Sequence, residues 1–291
     1  MKTVLTARSM TTWSERLRRE GVTIGFVPTM GALHDGHRSL IRAARLRCEA
    51  LVVSIFVNPA QFSDTEDLST YPRPIARDRA LCREEGVDIS FEPTARAMYP
   101  EGFQTTVTVP ALARRWEGEA RPYHFTGVAT VVTKLFGIVR PHLALFGQKD
   151  YQQAVLVRKL VDDLHLGVVI QIGSTVREPD GLAMSSRNIH LSSDERRVAP
   201  LLFQALRAGK QMIMNGMRNV AEIERMMRQT IEQTPTIHTE YLAVCDRDSL
   251  EPLSIVENRA VLLGAVRIGS TRLIDNLLVN MPRGKSRASP H

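Results

Sequence analysis

Residues 26–37 read FVPTMGALHDGH, and this stretch decides the fold because it joins a strand pattern to a helix pattern. The apolar run 23–27 predicts a buried strand, and apolar residues recurring every three or four positions after Gly36 predict a helix. His34 and His37 therefore lie at a helix N-terminus, where free backbone N–H groups and the helix dipole favour an anion. We interpret the pair as a phosphate-binding element, the alternative being two ordinary turn residues. Gly36 lacks a side chain, which we expect to leave room for a nucleotide.

Composition limits the class of protein. The chain has 291 residues, of which 43% are hydrophobic and 24% charged, which predicts a globular protein long enough for two domains. Its N-terminus lacks a signal-peptide pattern and no apolar run could span a bilayer, so we expect no membrane association. Three cysteines without a C-x-x-C pair indicate a reducing, cytoplasmic compartment.

The net charge of +7 raises the question of nucleic-acid binding. Basic residues are spread over the chain, and the one dense cluster, residues 283–287, has no interleaved aromatic residues for base stacking. We therefore expect no nucleic-acid partner, and residues 282–291 are predicted to be a disordered basic tail. A cationic surface also suits a polyanionic small substrate.

The alternation of strand and helix patterns in the first half of the chain predicts an α/β fold with a parallel sheet. Strand-like runs alternate with helical patterns long enough for right-handed crossovers. Ligands bind beyond the carboxyl ends of such strands, so the loops that follow them are the candidate site. The predicted strands are 23–27, 51–57, 87–91, 143–146 and 168–172, and the predicted helices are 36–48, 75–85, 126–139 and 150–164.

The sequence pattern changes after residue 188. Ser192 and Glu195 match a capping box before one amphipathic helix through about residue 214, and a second helix is predicted over 220–233. Short strands are predicted over 240–244, 260–266 and 271–275. We therefore predict a nucleotide- and substrate-binding domain over 1–180 and a smaller α+β domain over 181–281 that forms a lid.

Three of the predicted loops carry further polar chemistry. Asn58 and Gln61 offer amides that suit a carboxylate or hydroxyl substrate, although Asn58 alone could simply cap a turn. Lys149 follows a predicted strand and could reach a polyphosphate, while Asp150 could accept from ribose hydroxyls or cap its own helix. Gln153 lies one helical turn beyond Lys149, on the same face.

The last loop, 184–188, reads MSSRN and follows Asp180 and Gly181. Two hydroxyls and a guanidinium in sequence suit β- and γ-phosphates, because arginine can bind them through two hydrogen bonds. We expect this loop to be mobile and to act as a lid. The alternative is a polar linker between the domains.

Five motifs, in this order, resemble the pantothenate synthetases, the pantoate-β-alanine ligase family. They are PTMGALHDGH (28–37), SIFVNPAQF (54–62), YPR (71–73), KDYQQ (149–153) and DGLAMSSRN (180–188). Two positions depart from the family pattern: Gln148 stands where an acid is more common, and Ala60 where Met is common. Neither is expected to abolish activity.

The resemblance implies a cytoplasmic, homodimeric, Mg²⁺-dependent enzyme with the Rossmann-like fold of the His-x-Gly-His nucleotidyltransferase superfamily. It implies catalytic roles for His37, as proton donor, and for His34 and Lys149. Gln61 and Gln153 would bind pantoate, Gln61 would also bind β-alanine, and Arg121 and His124 would border the substrate end. The implied ATP-binding residues are Met30, Gly31, Ala32, Leu33, His34, Asp35, Gly36, His37, Gly147, Gln148, Lys149, Asp150, Val176, Met184, Ser185, Ser186 and Arg187.

The chemistry implied is attack of the pantoate carboxylate on the α-phosphorus of ATP, followed by displacement of AMP by the amine of β-alanine. Phosphate contact is expected to keep His37 cationic, since an ordinary histidine has a pKa of about 6.5. Three alternatives remain: a class I aminoacyl-tRNA synthetase, a nucleotidyltransferase acting on a phosphate ester, and a non-catalytic basic binding protein. The short C-terminal region disfavours the first, and the Asn58 and Gln61 amides disfavour the second.

Overall fold

The structure, a computed structural model, describes residues 1–62, 68–69 and 71–281. The chain forms two compact units. The first contains Met1–Val176 and Met184–Ser186; the second contains Arg177–Ala183 and the chain from Arg187 onward. The predicted disordered tail, 282–291, lies outside the described residues.

The first unit is built on a parallel sheet of six strands in the order β1-β4-β3-β2-β5-β6. This confirms the predicted α/β class. The strand β1 is a three-residue edge strand that the sequence pattern did not predict. The strands are β1 (Lys2–Val4), β2 (Ile24–Thr29), β3 (Ala50–Ile55), β4 (Ile89–Phe91), β5 (Leu143–Gly147) and β6 (Val169–Gly173).

Helices cover both faces of this sheet because successive residues of β2 point to opposite sides. Val27 packs with Leu40 and Ile41 of one helix, whereas the Phe26 ring meets that of Phe136, 6.3 Å away, on another. The helices are α1 (Ala7–Arg19), α2 (Asp35–Arg45), α3 (Ile75–Glu84), α4 (Ala95–Met98), α5 (Glu117–Ala120), α6 (His124–Val139) and α7 (Tyr151–Asp163). The first of these, α1, was not predicted, although Thr6 caps it by accepting a hydrogen bond from Ser9 N at 3.2 Å.

The second unit is a smaller α+β structure, as predicted. Its antiparallel sheet has the order β7-β8-β9, and its helices pack against one another and the sheet around a buried apolar core. Its elements are α8 (Ser193–Val198), α9 (Leu201–Met214), α10 (Val220–Glu232), β7 (Ile237–Cys245), β8 (Arg259–Ile268) and β9 (Thr271–Asn280).

One prediction in this unit is wrong. The single helix expected to run to about residue 214 is two helices, α8 and α9, which are separated by Ala199 and Pro200. Proline has no backbone N–H to continue the hydrogen-bond ladder, so α8 ends before it and α9 starts after it. The capping box itself is present: Ser192 Oγ accepts from Glu195 N at 3.3 Å, and Glu195 Oε2 accepts from Ser192 N at 2.8 Å.

Two glycines of α6 provide a matched test of the packing. A Cβ on Gly127 would stand 2.1 Å from the backbone oxygen of Ala60, whereas one on Gly137 would meet nothing within 4 Å. We expect Gly127→Ala to lower the free energy of unfolding by more than about 2 kcal/mol, because backbone cannot move away cheaply. Gly137→Ala should raise it by about 0.5–1 kcal/mol, since alanine is the better helix former.

Urea denaturation of both variants measures the difference. A Gly127→Ala protein as stable as the unmodified chain would show that the close approach of α6 to the Ala60 backbone is not a real constraint.

Candidate active site

The loop between β2 and α2 has an unusual backbone that a buried carboxylate holds. Gly31 and Ala32 both adopt positive φ, +89° and +52°. Asp78, which is 1% exposed on the first turn of α3, accepts hydrogen bonds from Ala32 N at 2.9 Å and Leu33 N at 2.8 Å. Burial raises the pKa of Asp78, and these two hydrogen bonds oppose that shift. The sequence pattern gave no sign of this role, because Asp78 is distant from the loop along the chain.

A second anchor lies at the end of β2. The Thr29 hydroxyl donates to Ser54 O at 2.7 Å and accepts from Gly31 N at 3.2 Å. One side chain therefore ties the loop to both central strands. Together with Asp78 it fixes the position at which α2 begins.

His34 and His37 cap that helix reciprocally. His34 is the N-cap residue; its Nδ1 accepts from Gly36 N at 3.1 Å, and His37 Nδ1 accepts from His34 N at 3.3 Å. Since both Nδ1 atoms accept, each neutral ring carries its proton on Nε2. The two rings lie 4.2 Å apart between centroids. The helix N-terminus thus presents two imidazole N–H donors of fixed tautomer.

The His34 ring explains why position 36 is a glycine. A Cβ at this position would stand 2.8 Å from His34 Cε1 and 2.9 Å from its Nδ1. The His34 ring therefore needs glycine here in order to cap the helix. We expected this space to serve a nucleotide, and the structure shows that an imidazole of the chain itself depends on it.

The electrostatics keep both rings neutral in the free protein. Burial, with contributions from His34 and Lys149, lowers the pKa of His37 to about 3, although the residue is still partly exposed. Burial and the nearby Lys149 ammonium also lower the pKa of His34. The expectation that phosphate contact keeps His37 cationic concerns the ligand-bound protein and stays a prediction. In the free protein the His37 N–H can still donate a hydrogen bond at neutral pH.

Lys149 and Asp150 lie in a short 3-10 turn between β5 and α7. Their charged groups are 3.7 Å apart, and both influence the pKa of His34 and His37, which places this turn beside the histidine pair. Asp150 occupies the N-cap position of α7 but makes no side-chain capping bond. Asp150 therefore does not cap α7 through its side chain, and the contact with ribose hydroxyls stays a prediction.

The amide of Asn58 is used inside the chain. Its Oδ1 accepts from Tyr99 Oη at 2.8 Å and from Ala60 N at 3.3 Å, and its Nδ2 donates to Gly127 O and Gln61 Oε1, each at 3.1 Å. Asn58 is 1% exposed. Asn58 therefore caps the turn, which is the alternative considered above, and its amide is not available to a substrate in this structure.

Gln61 lies in the same buried turn and is held at both its backbone and its side chain. Its backbone oxygen accepts from His124 Nδ1 at 3.0 Å and Arg121 at 3.3 Å, and its Oε1 accepts from Asn58. Within the described part of the chain its Nε2 donates to no acceptor. Arg121 and His124, expected to border the substrate, here support the Gln61 turn.

The helix α7 carries two successive glutamines with different surroundings. Gln153 is partly exposed. Gln152 is buried: its Nε2 donates to Leu112 O at 2.7 Å and Arg115 O at 2.9 Å, and its Oε1 accepts from Glu117 N at 3.1 Å. Gln152 thus holds the segment that precedes α5, a role not visible in the sequence.

The remaining candidate residues divide between the units. Val176, Met184, Ser185 and Ser186 belong to the first unit, where Met184 N donates to Val176 O at 3.0 Å, whereas Arg187 belongs to the second. The role of Arg187 at the phosphates stays a prediction.

Ion pairs within the second unit hold the neighbouring residues 177–183. Arg177 binds the buried Asp275 at 2.5 and 2.9 Å, and Arg196 binds both Glu178 and Asp180 at 2.5 Å. The Arg177 guanidinium also lies 4.0 Å from the Phe203 ring centroid. These contacts restrain residues 177–183. The mobility expected of residues 184–188 stays a prediction.

Neither a metal centre nor a membrane span is found in the described part of the chain. No group of three or more His, Cys, Asp or Glu side chains among those residues is arranged to hold a metal ion. No helix in the described ranges is both long and apolar enough to cross a membrane.

Comparison with known proteins gives a consistent result. Residues 2–278 match the model of a family described as pantoate-beta-alanine ligase. The chain is 47% identical over 281 residues to the pantothenate synthetase of Heliobacterium modesticaldum, an alignment covering 97% of this chain and all of that protein.

Solved structures agree with that result. A crystal structure of pantothenate synthetase from Thermus thermophilus is 46% identical, with a TM-score of 0.90 over 95% of this chain and 99% of the other. Pantoate-beta-alanine ligase from Francisella tularensis, in complex with beta-gamma ATP and beta-alanine, is 34% identical, with a TM-score of 0.79 over 96% of this chain and 97% of that one.

Removing the Asp78 carboxylate should destabilise the first unit. Asp78→Ala leaves the N–H groups of Ala32 and Leu33 without their acceptor, and we expect the free energy of unfolding to fall by about 3 kcal/mol. The exposed Asp162→Ala is the control and should change it by less than about 0.5 kcal/mol. Urea denaturation at pH 7 measures both, and equal effects would contradict the anchoring role.

The lowered pKa of His37 predicts a pH-dependent stability. Between its unfolded value near 6.5 and the folded value of about 3, only the unfolded chain binds a proton. Stability should therefore decline as pH falls from about 6.5, by up to about 1.4 kcal/mol per pH unit for this one group. His37→Gln should show a shallower decline than the unmodified protein, whereas His238→Gln, at an exposed position, should not.

Chemical denaturation at several pH values between neutrality and about pH 5 measures these slopes. An unchanged slope in His37→Gln would mean that His37 titrates normally in the folded protein.

Proposed function

The chain belongs to the pantoate-beta-alanine ligase family and is a ligase, and we propose that it condenses (R)-pantoate with β-alanine through a pantoyl-adenylate intermediate. ATP supplies the adenylyl group, and AMP and pyrophosphate are released. The observation that carries the proposal is the reciprocal capping of α2 by His34 and His37, which leaves two N–H donors of fixed tautomer at a helix N-terminus beside Lys149.

The nucleotide is proposed to lie along the first loop, the Lys149 turn and residues 184–187. A triphosphate would find backbone N–H groups, two imidazole donors and an ammonium in one place. The Francisella tularensis relative supports ATP as the nucleotide, since its structure is a complex with beta-gamma ATP. Because a phosphate beside an imidazole favours the charged ring, ATP should also raise the pKa of His34 and His37.

Pantoate is proposed to bind at Gln61 and Gln153, with β-alanine also reaching Gln61. Asn58, Arg121 and His124 each form a hydrogen bond to Gln61. Among the described residues the Gln61 Nε2 donates to no acceptor. A preorganised donor of this kind suits a carboxylate oxygen, because neither group then has to reorganise on binding.

In the first half-reaction the pantoate carboxylate oxygen attacks the α-phosphorus and the bond to pyrophosphate breaks. No proton moves in this step, so a neutral His37 can act as a hydrogen-bond donor to the developing charge without serving as an acid. Lys149 would stabilise the same charge. Catalysis here is mainly positioning and electrostatic stabilisation.

In the second half-reaction the neutral amine of β-alanine attacks the acyl carbon and AMP leaves. The amine loses a proton in forming the amide, and the phosphate of the departing AMP can accept it. Exclusion of water would protect the adenylate, and the lid role of the smaller unit stays a prediction.

The family resemblance implies Mg²⁺, and the residues present do not form a protein cage for it, since the described chain offers no cluster of metal-ligating side chains. Magnesium commonly binds through substrate phosphates and water, so no step is assigned to a protein-bound ion. The homodimer and the cytoplasmic location implied by the resemblance stay predictions.

Pyrophosphate exchange into ATP tests the proposed function. Exchange should depend on pantoate and should not occur with amino acids or phosphate esters in its place. Exchange with an amino acid instead would favour the aminoacyl-tRNA synthetase alternative, and exchange with a phosphate ester the simple nucleotidyltransferase.

The roles of His37 and Lys149 can be measured separately. Either His37→Ala or Lys149→Ala should slow single-turnover pyrophosphate release about 100-fold or more, as for loss of one preorganised donor. Lys159→Ala is the control, because this lysine lies on the exposed face of α7 and pairs with Asp163. Near-normal release by both active-site variants, with circular dichroism showing an intact fold, would refute the assignment.

A further inference from the structure

A hydrogen-bonded chain of three side chains leads from Tyr99 to Gln61. We propose that Tyr99 is a positioning residue for pantoate, acting through Asn58 to fix the Gln61 amide with its NH2 group toward the ligand. The inference rests on the proposed function, since it presumes that Gln61 binds pantoate. Tyr99 itself need not touch the substrate.

The backbone decides which way the Asn58 amide faces. Ala60 N can only donate and Gly127 O can only accept, and they contact Asn58 Oδ1 at 3.3 Å and Nδ2 at 3.1 Å respectively. Flipping the amide would place N–H against N–H and oxygen against oxygen. The orientation of Asn58 therefore follows from two groups whose hydrogen-bonding character cannot change.

The orientation of Gln61 then follows from Asn58. The second hydrogen of Asn58 Nδ2 points to the Gln61 side chain at 3.1 Å, so Gln61 must offer its oxygen there. Its Nε2 is left for other partners.

Tyr99 closes this network from the other end. Its hydroxyl donates to Asn58 Oδ1 at 2.8 Å, the shortest of the four hydrogen bonds to that amide. Packing keeps the ring in place: Phe103 lies edge-on at 5.1 Å and the Lys134 ammonium lies 5.6 Å from the ring centroid. Burial raises the pKa of Tyr99 to about 12, so the hydroxyl keeps its proton and donates throughout the working pH range.

The consequence concerns which ligand atoms Gln61 can meet. The Nε2 group of Gln61 can only donate, so it matches carboxylate and hydroxyl oxygens. Pantoate would therefore meet Gln61 through an oxygen. A contact of the same Nε2 group with β-alanine would be through the β-alanine carboxylate.

Tyr99→Phe removes one hydroxyl and leaves the ring packing intact. We expect the KM for pantoate to rise about fivefold, the effect of one lost buried hydrogen bond, while the KM for ATP stays within about twofold. Tyr123→Phe is the matched control, because this tyrosine is 82% exposed and should leave both values unchanged. Thermal unfolding of each variant is measured alongside.

A double-mutant cycle with Gln61→Ala distinguishes positioning from general packing. If Tyr99 acts through Gln61, adding Tyr99→Phe to Gln61→Ala should change the pantoate KM by less than about twofold. A full effect of about fivefold in that background, or a Tyr99→Phe enzyme with normal pantoate KM, would overturn the inference while leaving the proposed function standing. An unmodified enzyme without pantoate-dependent pyrophosphate release would overturn both.

Discussion

The candidate site depends on the carboxylate of Asp78, which accepts two backbone N–H groups from a loop that could not hold its shape alone. Ala32 is in the left-handed region, which costs a residue with a side chain roughly 1–2 kcal/mol. The two hydrogen bonds from Ala32 and Leu33 offset that cost and set where the chain enters α2. His34 then becomes the N-cap residue, and both imidazoles take their tautomers from the backbone. One buried acid on a neighbouring helix thus determines the hydrogen-bonding character of two histidines through the loop that leads to them.

Much of the fold could be predicted because its central elements are long and apolar. The five main strands and four crossover helices of the first unit stand out by periodicity, and so does the helix-then-sheet order of the second. The misses have physical reasons. The strand β1 has three residues, too few to show alternation, and within α1 only Met10 and Ser14 are buried, so its apolar face is narrow. Pro200 divides a helix whose apolar spacing continues across the break.

For the site, the sequence could indicate residues whose chemistry is local to a motif, such as the histidine pair and Lys149. It could not indicate their supports. Asp78, Tyr99 and Gln152 act on partners 35 to 46 residues away, a pairing that only the folded chain creates. The sequence suggested a ligand-binding role for Gly36 and Asn58. In the structure Gly36 makes room for the His34 ring, and Asn58 forms hydrogen bonds within the chain. A polar residue at the end of a strand should therefore be checked for hydrogen bonds within the protein before it is assigned to a substrate.

The route of the chain between the two units has a consequence for anyone who would separate them. The chain leaves the first unit after Val176, returns for Met184–Ser186 and leaves again at Arg187. A gene cut at any single point therefore yields no fragment with one complete unit and nothing else. A cut after Val176 removes three residues from the first unit, and a cut after Ser186 strands residues 177–183, whose Arg177 needs Asp275 from the other fragment.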